Sequence, residues 1–135
     1  MGQANNSCCQ SGVAMNKFLA SVACASKGIR HALATERNMR VHLFVFLLAV
    51  IAALVLEVSK IEFLLILGIS ALTFSLELTN TAIERLADKV SPVFNREIGL
   101  VKDVMAGAVL VASVFAVIIG FIIFIEPLMK LLNLP

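Results

Sequence analysis

Five polar side chains in the middle of the chain recur at helical spacing and offer groups that phosphate chemistry uses. They are Glu77, Asn80, Thr81, Glu84 and Asp88. Offsets of three, four, seven and eleven residues from Glu77 place them on one face of a helix. A row of carboxylates repels itself unless a cation lies against it. Mg²⁺ suits this face, because proteins hold it with one or two carboxylates while water and substrate phosphates complete its shell.

Lys102 and Asp103 are predicted to face this row from the next helix, across a short loop. Phosphoryl transfer needs a metal at the β- and γ-phosphates, a cation for the developing charge, and a carboxylate that orients the attacking hydroxyl. All three residue types are present. The chain has no glycine-rich phosphate loop of the P-loop or dinucleotide kind, so a soluble nucleotide-binding fold is excluded and the site is expected at a membrane surface.

A simpler interpretation treats the same charges as a solvated, ion-paired helix end. Neighbouring charges would then neutralise each other in the pairs Glu84 with Arg85, Asp88 with Lys89, and Lys102 with Asp103. The sequence favours this interpretation for Arg85, Lys89, Arg96 and Glu97. It explains Glu77 less well, because fourteen uncharged residues precede Glu77 and place it at a membrane boundary, where ionisable groups are uncommon and often functional.

Three uninterrupted apolar runs, 43–56, 63–76 and 104–125, must position these side chains. The hydrophobic content of 60% exceeds the roughly 45–50% of soluble proteins, which indicates a bilayer as the solvent. A spanning helix needs about 20 mostly apolar residues, so the third run suffices alone and the first two require neighbouring residues. A soluble helical bundle would show a polar face through 43–56, and none is present. The predicted class is an all-α integral membrane protein with three transmembrane helices.

The predicted elements form a single membrane domain over 15–130, after a flexible leader at 1–14. An amphipathic surface helix is predicted at about 15–34, because apolar residues recur there at helical spacing among lysine, serine and arginine. The three spans are predicted at about 38–57, 61–89 and 102–126, with a loop at about 90–100.

Basic residues are concentrated before the first span and between the second and third. These two segments hold nine of them: Lys17, Lys27, Arg30, Arg37, Arg40, Arg85, Lys89, Arg96 and Lys102. The positive-inside rule therefore predicts that the N-terminus and the long loop are cytoplasmic and that the C-terminus is outside. The net charge of only +2 argues against a nucleic-acid partner.

The cysteines, Cys8, Cys9 and Cys24, all precede the first span. They therefore lie on the reducing side, where a structural disulfide is not expected. Cys8 and Cys9 offer acylation sites, although a disordered extension explains this stretch more simply.

The stretch 77–84, Glu-Leu-Thr-Asn-Thr-Ala-Ile-Glu, is followed after a loop by 101–108, Val-Lys-Asp-Val-Met-Ala-Gly-Ala. Together they resemble the signature of the prokaryotic diacylglycerol kinase family. The resemblance extends upstream to 27–30 and 35–40 and covers about 17–125. At 35–40, Thr-Glu-Arg-Asn-Met-Arg is more similar to the Gram-positive branch, whose lipid is undecaprenol, than to the branch that acts on diacylglycerol.

The resemblance implies three spanning helices, an N-terminal amphipathic helix, a homotrimer in the bacterial cytoplasmic (inner) membrane, and Mg-ATP as the phosphate donor. It also implies that Glu77 is the base toward the lipid hydroxyl, with Asn80 in support. The implied ATP contacts are Lys17, Glu36, Glu84, Asn95, Lys102 and Asp103, of which Glu36 and Glu84 also bind Mg²⁺. Cys24 stands where some members have an aromatic residue, so the residue that packs against adenine is not identified.

The predicted function is transfer of the γ-phosphate of ATP to the hydroxyl of undecaprenol or diacylglycerol. Two alternatives from other classes stay open. A proton-coupled transporter would use Glu77, but it does not explain why Glu84, Asp88, Lys102 and Asp103 gather on one side of the membrane. A structural or regulatory subunit would use the amphipathic helix as a partner site.

Chain size also favours a homo-oligomer. Three helices are expected to be too few to enclose a nucleotide, a metal and a lipid headgroup while shielding Glu77 from hydrocarbon. Small residues permit close helix approach, between chains or within one chain, and the third span carries Ala106, Gly107, Ala108, Ala112 and Ser113.

Overall fold

The protein is described by a computed structural model that covers residues 14–91, 93 and 95–132. The predicted leader, including Cys8 and Cys9, lies outside these residues apart from Ala14. The described chain forms four helices: α1 (Ala14–Thr35), α2 (Arg37–Val55), α3 (Lys60–Val90) and α4 (Arg96–Leu131). By length and composition, α2, α3 and α4 can each cross a membrane. The predicted all-α class with three spanning helices is therefore confirmed.

The chain divides into two compact units, Met1–Glu36 and Arg37–Pro135. The described part of the first unit is α1 with Glu36. Several large apolar side chains of α1 are exposed, among them Phe18, Leu19 and Val22. An apolar stripe of this kind on a helix that also carries charges suits a position in the membrane interface.

In the second unit α3 is the central helix. It packs most extensively against α4 and less against α2, whereas α2 and α4 have little contact with each other. A small apolar cluster of Ala53, Ile66 and Ile123 joins the three helices at one end. Most other large apolar side chains of these helices are exposed. In a bilayer those side chains face lipid, so the fold needs only a narrow core.

The turn between α2 and α3 is specified by its own residues. α2 ends at Val55, slightly before the predicted limit of about 57, and Glu57 adopts a left-handed backbone conformation with φ 51°. The Val58 amide then donates to the Ala53 carbonyl at 3.2 Å, which closes the helix in a Schellman-type arrangement. Ser59 begins α3 with a capping box, in which its side chain and that of Glu62 satisfy each other's backbone amides.

The fourth helix is longer than the predicted third span at both ends. It begins at Arg96, inside the predicted loop, because the Asn95 side chain accepts hydrogen bonds from the Glu97 and Ile98 amides. It passes beyond 126 to Leu131 although Pro127 lies inside it. Proline removes one backbone donor and can bend a helix without ending it. At about 1.5 Å per residue, the 36 residues of α4 exceed a hydrocarbon core of about 30 Å.

Candidate active site

The buried polar side chains of the described residues all lie on α3. They are Thr73, Glu77, Asn80 and Thr81, and Glu77 is only 3% exposed. Their spacing places them along one side of the helix, on the face that the sequence predicted for Glu77 and Asn80. A buried carboxylate on a membrane-spanning helix is costly and usually functional, so this part of α3 is the candidate site.

The burial of Glu77 bears on the expected need for neighbouring chains. Three helices were expected to be too few to enclose a nucleotide, a metal and a lipid headgroup while also shielding Glu77. A single chain buries the Glu77 carboxylate, and the need for neighbouring chains around the substrates stays a prediction. Helix α3 lies at the centre of the three, so one of its faces is covered without a partner chain.

Asn80 links the buried part of α3 to Glu84, one turn further along the helix. Its Nδ2 donates to Glu84 Oε1 at 3.1 Å. Since only the amide nitrogen can donate to a carboxylate, this bond fixes which way the side-chain amide of Asn80 points. Its Oδ1 is then a buried acceptor, and no described residue donates to it. An unsatisfied buried oxygen of this kind calls for an external donor or a cation.

Lys102 approaches α3 from α4 and pairs with Asp88. Lys102 Nζ lies 2.9 Å from Asp88 Oδ1, and the Glu84 carboxylate adds to the attraction. The ion-paired alternative matched Asp88 with Lys89, but adjacent residues point to different sides of a helix, so Asp88 reaches across to α4 instead. Asp103 follows Lys102 on the same helix, about 100° further round, and is exposed. The structure therefore brings Lys102, but not Asp103, against the α3 face.

The side chains present suit Mg²⁺. Glu84 is half-buried, and the bond from Asn80 occupies only its Oε1. The buried Asn80 Oδ1 is a second oxygen of the kind that Mg²⁺ accepts. Among the described residues, no group of three His, Cys, Asp or Glu side chains converges as a metal site. Mg²⁺ in phosphate-transfer sites is typically bound by one or two carboxylates plus substrate phosphates, so two protein oxygens are a sufficient donor set.

The other predicted nucleotide contacts have different environments. In the first unit, Lys17 is exposed on α1, and Glu36 is half-buried and accepts a hydrogen bond from the Thr35 hydroxyl at 3.2 Å. In the second unit, Asn95 is exposed, and its Oδ1 caps α4 at 2.9 Å from the Glu97 amide. Nucleotide contacts by Lys17, Glu36 and Asn95 stay predictions.

An apolar groove runs along α3 between α2 and α4 and has a volume of about 350 Å³. Aromatic and aliphatic side chains line it, including Val45, Phe46, Ile66, Phe74 and Phe124. Thr73 also lines the groove and lies one helical turn before Glu77. The groove lining therefore comes within one helical turn of the buried carboxylate of Glu77.

Two features of the site were missed from the sequence. Thr73 belongs to the buried face, and its position four residues before Glu77 was a usable signal. Asp88 was placed on the correct face, but its pairing with Lys102 depends on how α4 packs against α3. The spacing within one helix contains no information on that packing.

Comparison with known proteins places these residues in a family. The chain matches the family described as prokaryotic diacylglycerol kinase over residues 23–124. It is 37% identical over 114 residues to the undecaprenol kinase of Bacillus subtilis, an alignment that covers 84% of this chain and 93% of that protein. It is 36% identical over 116 residues to the diacylglycerol kinase of Synechocystis sp., covering 85% of this chain and 66% of that protein. It is 35% identical over 92 residues to the diacylglycerol kinase of Escherichia coli, covering 68% of this chain and 75% of that protein. With buried polar groups on a spanning helix and a family match over most of its length, this chain belongs to the prokaryotic diacylglycerol kinase family.

Proposed function

We propose that this chain is a lipid kinase of the bacterial inner membrane that transfers the γ-phosphate of ATP to the hydroxyl of a membrane lipid, with undecaprenol preferred over diacylglycerol. The observation that carries the proposal is the buried face of α3. There a carboxylate, an amide and a second carboxylate follow one another from Glu77 to Glu84, with Lys102 beside them. The family comparison does not support a transporter or a non-enzymatic subunit.

In the proposed reaction Glu77 accepts a hydrogen bond from the lipid hydroxyl and receives its proton. The hydroxyl oxygen forms a bond to the γ-phosphorus as the bond from that phosphorus to the β-phosphate bridging oxygen breaks, and ADP leaves. Burial favours this role of Glu77, because water does not compete with the lipid hydroxyl for hydrogen bonds to a buried carboxylate.

The remaining polar groups hold the donor. Lys102 neutralises charge on the phosphates, Glu84 would hold Mg²⁺, and Asn80 keeps the Glu84 carboxylate in one orientation. A magnesium ion held there would supply positive charge to offset the charge that develops on the phosphates. Glu36 is proposed as a further metal carboxylate, and Lys17, Asn95 and Asp103 as nucleotide contacts, all on the family resemblance.

The apolar groove supports a lipid acceptor. A hydrocarbon chain lying in it would extend toward Thr73 and bring a terminal hydroxyl to Glu77 one turn further on. The basic residues before α2 and around the α3–α4 connection support an orientation with the N-terminus and this connection in the cytoplasm, where ATP is available, and the C-terminus outside.

Side-by-side assays in mixed micelles test the function and the preferred lipid. With radiolabelled ATP, the purified chain is expected to label undecaprenol with at least about a tenfold higher kcat/KM than diacylglycerol. Gaining or losing contact with one or two apolar groups of a substrate is enough to change kcat/KM by this factor. The support for undecaprenol is the segment at 35–40 and the near-complete coverage of the Bacillus relative. A reversed preference contradicts the choice of acceptor alone, whereas no labelling of either lipid contradicts the kinase proposal.

We also propose that the working unit is a homo-oligomer, with the trimer favoured by resemblance. Lys102 is partly exposed and Asn95 and Asp103 are exposed in a single chain, so one chain leaves the nucleotide side of the site open. Ala112 is buried, but apart from the adjoining residues and backbone of its own helix no atom lies within 4 Å of the position that a Cβ on Gly107 would occupy. The small size of Gly107 is therefore not required by packing within the chain, and it leaves space for another helix.

Mixing two inactive variants tests whether sites are shared between chains. If Glu77 and Lys102 of one site come from different chains, co-assembly of Glu77→Gln with Lys102→Ala restores both intact residues to about a quarter of the sites, by random pairing in a symmetric assembly. Each variant assembled alone is the control, and cross-linking gives the number of chains. Stable mixed oligomers without recovered activity would show that both residues come from one chain.

A further inference from the structure

We propose that Asp88 is a positioning residue that holds the Lys102 ammonium over the Glu84 side of α3 before the nucleotide binds. This inference rests on the proposed function and deepens it, because no role for Asp88 follows from a kinase activity alone. It is carried by an ion pair that joins α3 to α4, with Lys102 Nζ 2.9 Å from Asp88 Oδ1.

The pair is poorly suited to stabilising the fold. The side chains of Lys102 and Asp88 are 35% and 69% exposed, and ion pairs at that exposure contribute little to stability because water screens them. Helices α3 and α4 already pack extensively along their length. The bond therefore selects one position for a long, mobile side chain rather than holding two helices together.

The position that it selects is the useful one for phosphate. Asp88 lies one helical turn after Glu84 on the same face of α3, and Glu84 also attracts the ammonium. A lysine in open solvent loses side-chain conformational freedom when it binds a phosphate. Because Asp88 has already restricted Lys102, part of that loss occurs before the nucleotide arrives, and binding is tighter than with an unrestrained lysine.

Removing the Asp88 charge in the full-length protein tests this role. Asp88→Asn is expected to raise both the Kd and the KM for Mg-ATP about twofold to fivefold, in the upper part of the range for an exposed pair, while kcat and the KM for the lipid stay unchanged. Asp88→Glu, which restores the carboxylate, is expected to recover most of the affinity. In a Lys102→Ala background, Asp88→Asn is expected to have no further effect, because the group that it positions is absent.

A second exposed ion pair provides a matched control. Lys130 Nζ lies 2.6 Å from Glu126 Oε1 near the other end of α4. Glu126→Gln therefore removes a similar ion pair far from Glu77 and Glu84. It is expected to change neither the Kd for Mg-ATP nor the thermal midpoint measurably. If Asp88→Asn and Glu126→Gln have the same thermal unfolding midpoint, a weaker affinity of Asp88→Asn for Mg-ATP is not caused by a loss of stability.

The outcomes are distinguishable because the Kd is measured without turnover. An unchanged Kd in Asp88→Asn, or an additive effect with Lys102→Ala, overturns the positioning role while leaving the kinase proposal intact. Tighter binding in Asp88→Asn also overturns it, since Asp88 would then compete with phosphate for Lys102. A wild-type chain that binds no Mg-ATP overturns this inference and the proposed function together.

Discussion

Glu77→Gln is expected to lower the rate of lipid phosphorylation about a hundredfold to ten-thousandfold while leaving the Kd for Mg-ATP within about twofold of wild type. Glutamine keeps the shape of the side chain but cannot receive the proton of the attacking hydroxyl. The carboxylate is buried on α3 and belongs to the acceptor side of the proposed site, so nucleotide affinity should not depend on it. Initial rates at saturating lipid and ATP, together with equilibrium nucleotide binding, measure the two effects separately.

Glu126→Gln is the control for this experiment, since it neutralises an exposed carboxylate near the far end of α4. It should leave both quantities unchanged. If Glu77→Gln retains near-normal turnover, Glu77 is not the base. A loss of nucleotide affinity equal to the loss of turnover would instead assign Glu77 to the donor side of the site.

Glu84→Gln is expected to raise the Mg²⁺ concentration for half-maximal activity at least about tenfold, because Mg²⁺ depends on charged oxygen ligands. Glutamine is chosen because its side-chain oxygen can still accept the bond from Asn80 Nδ2, so the orientation of Asn80 is retained while the charge is lost. Glu84→Ala removes that acceptor as well and should add a loss of stability, since a buried donor is then unsatisfied. Titration of Mg²⁺ at fixed ATP gives the first effect, and thermal unfolding gives the second.

Glu36→Ala belongs in the same titration, because the family resemblance predicts a metal role for it. Raised Mg²⁺ requirements in both the Glu36 and the Glu84 variants would support a shared metal shell. A titration curve that overlays wild type removes the substituted residue from that shell. Asn95→Asp is a useful comparison, since it preserves an N-cap for α4 while changing charge at another predicted nucleotide contact.

The parts of this protein that were predictable from its sequence depend on periodicity within one segment. Apolar runs of sufficient length predicted the spans, and offsets of three and four residues predicted that Glu77, Asn80 and Glu84 share one face of α3. Both inferences use only the repeat of a single helix. A row of carboxylates by itself is equally compatible with a solvated helix end. The prediction of phosphoryl transfer therefore depended on the family resemblance.

The parts that were not predictable depend on contacts between segments or on a choice between local signals. The partner of Asp88 is fourteen residues away on another helix, so it required knowledge of how α3 and α4 pack. The burial of Glu77 within one chain likewise follows from the central position of α3. At Asn95 the same amide was compatible with a loop contact or a helix cap, and Pro127 was compatible with a helix end or a bend.

The apolar cluster of Ala53, Ile66 and Ile123 lies at the opposite end of the bundle from the candidate site. Along α3, Ile66 and Glu77 are eleven residues, or about 16 Å, apart, so this cluster does not include the polar groups of the candidate site. The Glu77 end also contains buried apolar side chains, namely Met39, Ala87 and Val109, beside the partly exposed Lys102–Asp88 pair. On the proposed function, lipid and nucleotide therefore react about three helical turns away from the cluster that joins the three helices.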